Sequence, residues 1–316
     1  MQTSLIAASP SGIAQAAAIL QAGGLVAMPT ETVYGLAGDA RSDAAVARIF
    51  AAKNRPTFNP LIVHLPDLAS VARYAVLTPA GERLARALWP GPLTLVLPLR
   101  PDAGLSPLVT AGHDTVAIRL PAHPVARALL QAFGGPLAAP SANPSGRISP
   151  TRADHVLAGL SGRIEAVLDG GPCAVGVEST IIAADTTPPA LLRHGGVPVE
   201  VLESLLGAPL ALPGDPARPK APGQLASHYA PAARVRLNAE TPAPGETFVG
   251  FGPGPAGLNL SPAADTTEAA ATLFHILREA DRLAGPAGTI AFAPIPETGL
   301  GRAINDRLRR AAAPRP

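Results

Sequence analysis

Up to residue 206, apolar and polar positions fall into alternating helical and strand-like runs. Apolar residues recur at helical spacing from Ser11 to Ala22, and Gly23-Gly24 predicts the helix end. The same spacing predicts helices over 43–52, 123–133 and 151–160, the last with a Thr151-x-x-Asp154 capping pattern, and another beginning at Thr78-Pro79. Strand-length runs lie between them: LVAMPT, PLIVHL, LTLVLPL, TVAIRLP, PLAAPSAN, EAVLDGG, GVESTIIAAD and PALLRHGG. Because strands outnumber helices, we predict an α/β fold, a twisted mixed β-sheet flanked by helices.

The periodic pattern stops where prolines begin. Six prolines lie between Pro209 and Pro231; such spacing forbids a helix and favours extended, semi-rigid chain. Beyond them, RVRLN, ETFVGF and TIAFAPI are typical of strands, and helices are predicted over 267–283 and 302–312. We therefore predict a catalytic domain over 1–206, a linker over 207–233 and a small α/β domain over 234–316.

Composition narrows the class of protein. The 316 residues are 47% hydrophobic and carry a net charge of +2, which supplies a core but not the basic excess of a non-specific nucleic-acid binder. Cys173 is the single cysteine, which excludes a disulfide framework and a thiolate-rich metal site. With no basic-apolar leader at the N-terminus and no run of 18 apolar residues, we expect a cytoplasmic protein without a membrane span.

Several common catalytic motifs are absent from the sequence. It contains no P-loop pattern G-x-x-x-x-G-K-[ST], no H-E-x-x-H and no C-x-x-C. Residues 252–257 match G-x-G-x-x-G, but Pro253 and Pro255 remove backbone donors and no helix is predicted to follow directly. We interpret this segment as a glycine-rich turn.

A polar cluster interrupts the second predicted helix and the strand after it. The chain has two lysines and 23 arginines, yet position 53 carries a lysine. A solvated helix end, where cations interact well with the helix dipole, is one interpretation. The other interpretation is a site that neutralises phosphates, because four polar side chains lie close to two prolines that stiffen the loop. The polar residues are Lys53, Arg55, Asn59 and His64, and the prolines are Pro56 and Pro60.

Four further stretches place polar side chains in or beside apolar strands. In PTETVYGLAGDA, strand alternation would put Thr30, Thr32 and Tyr34 on one face. Each stretch has a structural interpretation when taken alone, since turns favour Ser, Asn and Pro. Unpaired polar groups inside an apolar strand are costly, however, so Glu178 and its neighbours need partners. The other three stretches are APSANPSGRISPT, GVEST and LLRHGG.

Taken together, these stretches resemble the YrdC-like family, and within it the long-form threonylcarbamoyl-AMP synthases that carry an extra C-terminal domain. The resemblance covers roughly residues 12–206 and the linker, and its Lys-x-Arg and Ser-x-Asn pair is the most specific part. The matching stretches are PTETVYGL, KNRPTFNPLIVHL, WPGPLTLVL, VAIRLP, APSANPSGRISPT, VESTII, LLRHG and HYAP. The linker departs from the family's usual S-P-G-M, since it reads APGQLASHYAP.

The resemblance implies a deep cleft, a Rossmann-like C-terminal domain and a linker that acts as a lid. It implies that L-threonine, bicarbonate or CO2, and ATP with Mg2+ give threonylcarbamoyl-AMP and pyrophosphate, and that a downstream complex transfers the product to tRNA. Lys53 and Arg55 would be catalytic. Threonine would contact Thr32, His64, Arg119, Ala139 and Ser179. The nucleotide would contact Arg55, Asn59, Thr115, Ser141, Asn143, Ser149, Arg193 and Tyr229. The metal ligands stay unassigned, with Glu178 only a candidate.

Two other functions stay open from sequence. An RNA-binding or ribosome-assembly factor would use a cationic cleft, although the balanced charge of residues 1–206 argues against it. A carbamoyl-transfer module acting on carbamoyl phosphate is the second, weakened by the absence of zinc-finger or acylphosphatase-like segments. The basic helix over 302–312 either meets tRNA or a partner protein or presents a solvated face. Its cations are Arg302, Arg307, Arg309 and Arg310.

Overall fold

Strands and helices alternate through residues 1–212, 228–254 and 256–314, the parts of the chain described in the computed structural model. The strands are β1 Ser4–Ala7, β2 Val26–Met28, β3 Gly35–Asp39, β4 Ile62–His64, β5 Leu93–Pro98, β6 Thr115–Arg119, β7 Leu137–Ala138, β8 Ala166–Asp169, β9 Thr180–Ala183, β10 Ala190–Arg193, β11 Arg234–Arg236, β12 Thr247–Gly250, β13 Leu258–Asn259 and β14 Thr289–Phe292. The helices are α1 Pro10–Gln21, α2 Asp43–Lys53, α3 Val71–Tyr74, α4 Pro79–Leu88, α5 Pro107–Thr110, α6 Pro124–Phe133, α7 Ala153–Leu160, α8 Val199–Leu206, α9 Thr266–Ala284 and α10 Gly301–Ala312.

The first ten strands form one mixed sheet in the order β1-β8-β2-β3-β7-β4-β6-β5-β9-β10. Parallel pairs such as β4/β6 and β5/β9 alternate with antiparallel pairs such as β5/β6. Side chains alternate across it, so Val26 and Met28 pack with α1 and α6 while Ala27 joins the core beneath α2, α4 and α8. The predicted mixed sheet with helices on its faces is confirmed.

Local capping explains why most predicted helices begin where they do. The hydroxyls of Ser9, Ser42 and Thr78 each accept a hydrogen bond from the backbone amide three residues later, which satisfies one donor of the first turn. The predicted cap at Thr151 is wrong. Helix α7 has Arg152 at its N-cap with no side-chain bond, and the Thr151 amide donates to His155 Nδ1 at 3.3 Å. The Thr151 hydroxyl lies 3.5 Å from the same His155 nitrogen and does not cap the helix.

The stretch after β2 is irregular rather than extended. Residues 29–34 bend between β2 and β3, so the alternation predicted for Thr30, Thr32 and Tyr34 is wrong. Thr30 and Thr32 share a hydrogen bond of 2.8 Å through their hydroxyls. Tyr34 turns away, and its hydroxyl donates to the Gly171 carbonyl at 2.8 Å. Because Gly35 pairs with Met28 across the β2/β3 hairpin, the intervening residues form a loop at the end of these two interior strands.

The second sheet is small and wholly parallel, in the order β11-β14-β12-β13, and packs against α9 and α10. This agrees with the predicted small α/β unit. Its core also contains Val33, Ile148 and Val177, which come from the loops around the larger sheet. The glycine-rich segment after β12 is a turn leading to β13, as predicted, with Pro255 outside the described residues.

The predicted linker lies mostly outside the described residues, including Lys220 and the APGQL stretch. Its end is fixed by hydrogen bonds: the Ala230 amide donates to Gly146 O, and the Ala232 and Ala233 amides donate to Asp281 at 2.9 and 2.8 Å. The domain boundaries at 206 and 233 stay predictions. Among the helices of the described ranges, none combines the length and apolarity that a membrane crossing needs.

Candidate active site

A cleft lies where the ends of β4, β6, β9 and β10 meet the loop after β2 and the end of the predicted linker. It gathers nine of the fourteen predicted site residues: Thr32, Arg55, His64, Arg119, Ala139, Ser141, Ser179, Arg193 and Tyr229. The remaining lining is Thr30, Val33, Gly35, Ile62, Pro140, Glu178 and His228. The other five predicted residues do not line this cleft: Lys53, Asn59, Thr115, Asn143 and Ser149.

One half of the cleft is organised around Arg119 at the end of β6. Its guanidinium donates to Glu31 Oε1 at 2.6 Å and to Thr32 Oγ1 at 2.7 Å. The second Glu31 oxygen accepts from the amides of Ala122 and His123 just before α6. Burial would raise the pKa of Glu31, but the charge and hydrogen bonds of Arg119 lower it below its usual value. Glu31 therefore fixes a buried, charged Arg119 in one orientation.

His64 lies beside Arg119 because β4 and β6 pair in parallel with these residues in register. Burial, and secondarily the charge of Arg119, lower the pKa of His64 to about 3. Its Nδ1 lies 3.3 Å from the Ile62 carbonyl. At neutral pH the ring is uncharged, so His64 offers the cleft a neutral imidazole rather than a second cation.

Lys53 ends α2 and is 1% exposed. Its ammonium donates to the carbonyls of Ser141 and Asn143, which ties the helix end to the Ser-x-Asn loop. Burial and the nearby charge of Arg55 lower its pKa well below the usual value. The compact ammonium carries three donors and serves both carbonyls from a fully buried position, where the bulkier guanidinium would need more room. The lysine is thus explained by loop geometry, and its predicted phosphate contact stays a prediction.

Arg55 lies two residues further, after Asn54 has left the helix in the left-handed conformation at φ 51°. It donates to the carbonyls of Asn59 and Pro60 at 3.2 and 3.0 Å. Burial and the charge of Arg193 lower its pKa to about 9. Neither Lys53 nor Arg55 forms an ion pair with a carboxylate in the ranges that the structure describes. Two buried cations without a counter-charge characterise an anion site.

Buried atoms without partners mark the same region. Within the described chain, Asn59 Oδ1, Asn143 Oδ1 and the Tyr229 hydroxyl have no hydrogen-bond partner. The Asn143 amide nitrogen is satisfied, since it donates to Pro144 O and Arg147 O at 2.9 Å. Buried polar atoms are normally paired, so such atoms indicate a binding role. All three belong to residues that the sequence assigns to the nucleotide.

Glu178 occupies the opposite wall, directly before β9. Its Oε1 accepts from Ser149 Oγ at 2.6 Å and its Oε2 from Arg307 Nε of α10 at 3.0 Å. Burial would raise the pKa of Glu178, but Arg307 and then Arg193 lower it to about 2. This agrees with the expectation that polar groups in GVEST need partners. Ser149 donates to this carboxylate, and its predicted contact with the nucleotide stays a prediction.

Helix α10 does not present unpaired cations. Arg302 pairs with Glu200 at 3.3 Å, Arg309 with Glu297 at 2.7 Å and Arg310 with Asp306 at 3.0 Å. Arg307 is fully buried. The interpretation of this helix as a wholly solvated face is wrong for Arg307, and the paired charges leave α10 little net field for nucleic acid.

The side chains of the cleft do not form a protein-held metal site. No group of three His, Cys, Asp or Glu residues suited to a metal occurs within the described residues. Glu178 is the acidic residue among those lining the cleft, and both its oxygens already accept hydrogen bonds from Ser149 and Arg307. The candidacy of Glu178 as a metal ligand therefore does not fit this arrangement.

Sequence reasoning missed three residues of the site: Glu31, His228 and Arg307. A signal existed for Glu31, since it is a carboxylate between two threonines beside a buried strand. His228 packs edge-on against Tyr229, with ring centroids 4.2 Å apart. No local pattern marks Arg307, because its partner lies 129 residues earlier in the chain.

Comparison with known proteins gives consistent results along the whole chain. A Sua5/YciO/YrdC family model described as "Telomere recombination" matches residues 18–195, and a model described as "Threonylcarbamoyl-AMP synthase, C-terminal domain" matches residues 197–313. A threonylcarbamoyl-AMP synthase of Bacillus subtilis is 42% identical over 96% of this chain and 93% of its own length. A protein of the same name from Pyrococcus abyssi is 41% identical over 94% and 93%.

A solved structure is similar over nearly the full length. The crystal structure of P. abyssi Sua5 complexed with L-threonine superposes with a TM-score of 0.89 at 39% identity, covering 98% of each chain. The similarity spans both sheets.

Proposed function

Because the chain belongs to the Sua5/YrdC family of threonylcarbamoyl-AMP synthases, we propose that it makes threonylcarbamoyl-AMP and pyrophosphate from L-threonine, bicarbonate and ATP. The observation that carries the proposal is buried Arg55, which lines the cleft without a carboxylate partner in the described chain, beside buried acceptor and hydroxyl atoms that also lack partners. A triphosphate supplies the missing negative charge, and an adenosine supplies hydrogen-bonding groups.

The chemistry needs no covalent intermediate with the protein. Threonine's amine condenses with bicarbonate to a carbamate and water, and a carbamate oxygen then attacks the α-phosphorus of ATP. A new P–O bond forms, the bond to the β-phosphate oxygen breaks, and pyrophosphate leaves with that electron pair. Such a reaction depends on positioning and charge neutralisation more than on a nucleophilic side chain.

The two halves of the cleft divide these tasks. Arg119, held by Glu31, takes the threonine carboxylate, while neutral His64 and the Ser179 hydroxyl border the amino acid. Arg55 and Arg193 face the phosphates, and Lys53 holds the Ser141–Asn143 loop against them. Tyr229 closes the nucleotide side. These roles are the ones that the family resemblance implies; the placement and charge of the residues support them, and together they would orient the carbamate toward phosphorus.

We assign Mg2+ to the nucleotide rather than to the protein. In the part of the chain that the structure describes, no carboxylate of the cleft is free to bind a cation. Mg2+ is commonly held through substrate phosphates with few protein ligands. When bound with ATP, it would neutralise phosphate charge.

The product is a mixed anhydride that hydrolyses readily, so a second enzyme must consume it. We propose that the downstream tRNA threonylcarbamoyl transferase complex receives it in the cytoplasm. The RNA-binding alternative gains no support from α10, whose arginines are paired. The carbamoyl phosphate alternative is not favoured by any observation in the cleft.

Pyrophosphate release tests the proposal directly. The protein is incubated with ATP, Mg2+, bicarbonate and each of a panel of amino acids, and pyrophosphate is measured by a coupled assay. We expect release with threonine that is lost when bicarbonate is removed. Release that ignores the amino acid, or no release at all, would contradict the proposal.

The Glu31–Arg119 pair gives a second test, based on stability. Glu31→Gln leaves a buried arginine without its counter-charge, so we expect the free energy of unfolding to fall by about 3 kcal/mol. Threonine should raise the melting temperature of this variant more than that of the wild type, because its carboxylate replaces the lost charge. Glu82→Gln, which breaks an exposed pair with Arg86, is the control and should change stability by less than about 1 kcal/mol. Equal threonine shifts in both proteins would refute the assignment.

A further inference from the structure

A cation from α10 reaches the wall of the cleft across 129 residues of sequence. Arg307 is 1% exposed and donates through Nε to Glu178 and through Nη1 to the carbonyl of His194. Both acceptors belong to the segments around β9 and β10 of the larger sheet. The second sheet and its helices therefore contribute one charged group to the site of the first.

The segments before β9 and after β10, which Arg307 contacts, are closely packed against each other. A Cβ on Gly195 would lie 2.3 Å from the Glu178 carbonyl oxygen, so only glycine allows this approach. The Gly196 amide donates to that same carbonyl at 3.0 Å. The Glu178 side chain is held from two sides, by Ser149 at 2.6 Å and by Arg307 at 3.0 Å. Its position is thus fixed rather than free to follow a ligand.

The charge of Glu178 is unfavourable for the proposed substrate. It lines the same cleft as Arg55 and Arg193, the cations that face the phosphates. An unpaired carboxylate there would repel a triphosphate, or would draw Arg193 away from it. Arg307 also lies 5.7 Å from the centroid of the Tyr229 ring. One arginine thus contacts both an acidic and an aromatic wall residue.

We propose that Arg307 is a positioning residue for the nucleotide, which neutralises and immobilises Glu178 so that this carboxylate does not repel the phosphates. The inference rests on the proposed use of ATP. It assigns a function to the C-terminal unit: completion of the nucleotide side of the cleft. Arg307 itself need not touch the substrate.

The test measures ATP affinity by calorimetry on the full chain, without threonine, so that it is independent of turnover. Arg307→Met should weaken ATP binding about tenfold or more at pH 8, because a like charge faces the phosphates. Arg307→Met/Glu178→Gln removes both charges, which buried pairs generally tolerate, and should bind ATP within about threefold of wild type. Arg309→Met, on the same helix but in an exposed pair, is the matched control and should bind as wild type.

A pH series separates positioning from simple loss of structure. Without Arg307, the largest influence that lowers the pKa of Glu178 is lost, so burial raises that pKa above its value of about 2 in the intact site. Below the raised pKa the carboxyl group is protonated and uncharged, so Arg307→Met should bind ATP better at pH 6 than at pH 8. Two neighbouring groups do not titrate between pH 6 and pH 8. Burial lowers the pKa of His228 to about 3 and raises the pKa of Tyr229 to about 12. The other charged groups are Arg193, which acts on Glu178, Lys53 and Arg55, which act with Arg193 on His228, and Asp306, which lies 3.2 Å from Arg307.

The outcomes are distinguishable from failure of the proposed function. If the wild type does not bind ATP at all, the proposed function fails. If it binds and Arg307→Met binds equally well at pH 8, the positioning role is wrong. The role is also wrong if the double variant, folded as judged by circular dichroism, binds as weakly as the single variant, or if the single variant does not fold and the double variant binds weakly. Restored binding in the double variant supports the role in either case.

Discussion

Lys53→Ala is expected to reduce kcat/KM for ATP by about 1,000-fold or more, the scale of losing a preorganised group together with correct positioning. The ammonium ties α2 to the Ser141 and Asn143 carbonyls. Without it, both carbonyls lose this donor, and the loop that carries Ser141 and Asn143, two of the predicted nucleotide-contacting residues, is released. The measurement is pyrophosphate release at varied ATP, with circular dichroism to show that the variant is folded.

Lys53→Arg separates charge from geometry. It keeps the cation, but the larger guanidinium does not fit the fully buried position of the ammonium without displacing the Ser141–Asn143 loop, so we expect at least about a 100-fold loss. Arg86→Ala, which removes an exposed cation paired with Glu82, should leave turnover unchanged. Full activity in Lys53→Arg would show that a positive charge alone is enough there.

Arg55→Met is expected to lower activity about 100-fold while leaving the stability of the ligand-free protein nearly unchanged. The side chain is 8% exposed and donates to two carbonyls. Losing these bonds costs about 1–3 kcal/mol, and removing a buried charge that lacks a carboxylate partner in the described chain offsets much of that. The loss should appear mainly as a raised KM for ATP, with the KM for threonine little changed.

Arg100→Met is the matched control, because Arg100 pairs with exposed Asp102 at 3.2 Å outside the cleft. It should change neither KM nor the melting temperature. A large fall in the stability of Arg55→Met with unchanged KM for ATP would mean that Arg55 serves the fold and not the nucleotide.

Local pattern predicted the fold well where capping and periodicity agree. Ser42 and Asn54 bound α2 almost where the sequence placed the helix. The local pattern did not predict elements whose formation depends on contacts with residues far away in the sequence. Strand β3 was missed because Gly35 and Gly38 give it little strand propensity, although it pairs with both β2 and β7. Helix α8, over residues that follow Pro198, was also missed.

The prediction of the site residues likewise succeeded for local patterns and failed for long-range contacts. Residues in short polar stretches, such as Thr32, Arg55 and Ser179, were named from sequence and line the cleft. Lys53 was named too, but its partners are backbone carbonyls, which no side-chain motif reveals. Arg307 shares with its neighbours a basic pattern that is typical of a solvated helix. Only its long-range hydrogen bonds to Glu178 and the His194 carbonyl distinguish it.

Because Arg307 follows Glu178 far along the sequence, their ion pair can form only late in protein synthesis. At about 5–20 residues per second, the ribosome needs roughly 6–26 s to add the 129 residues that separate them. Through that interval the strands around Glu178 already exist, while the carboxylate still lacks its arginine. If the proposed role of Arg307 holds, a growing chain that already contains Arg55 and Arg193 would bind ATP more weakly than the finished chain.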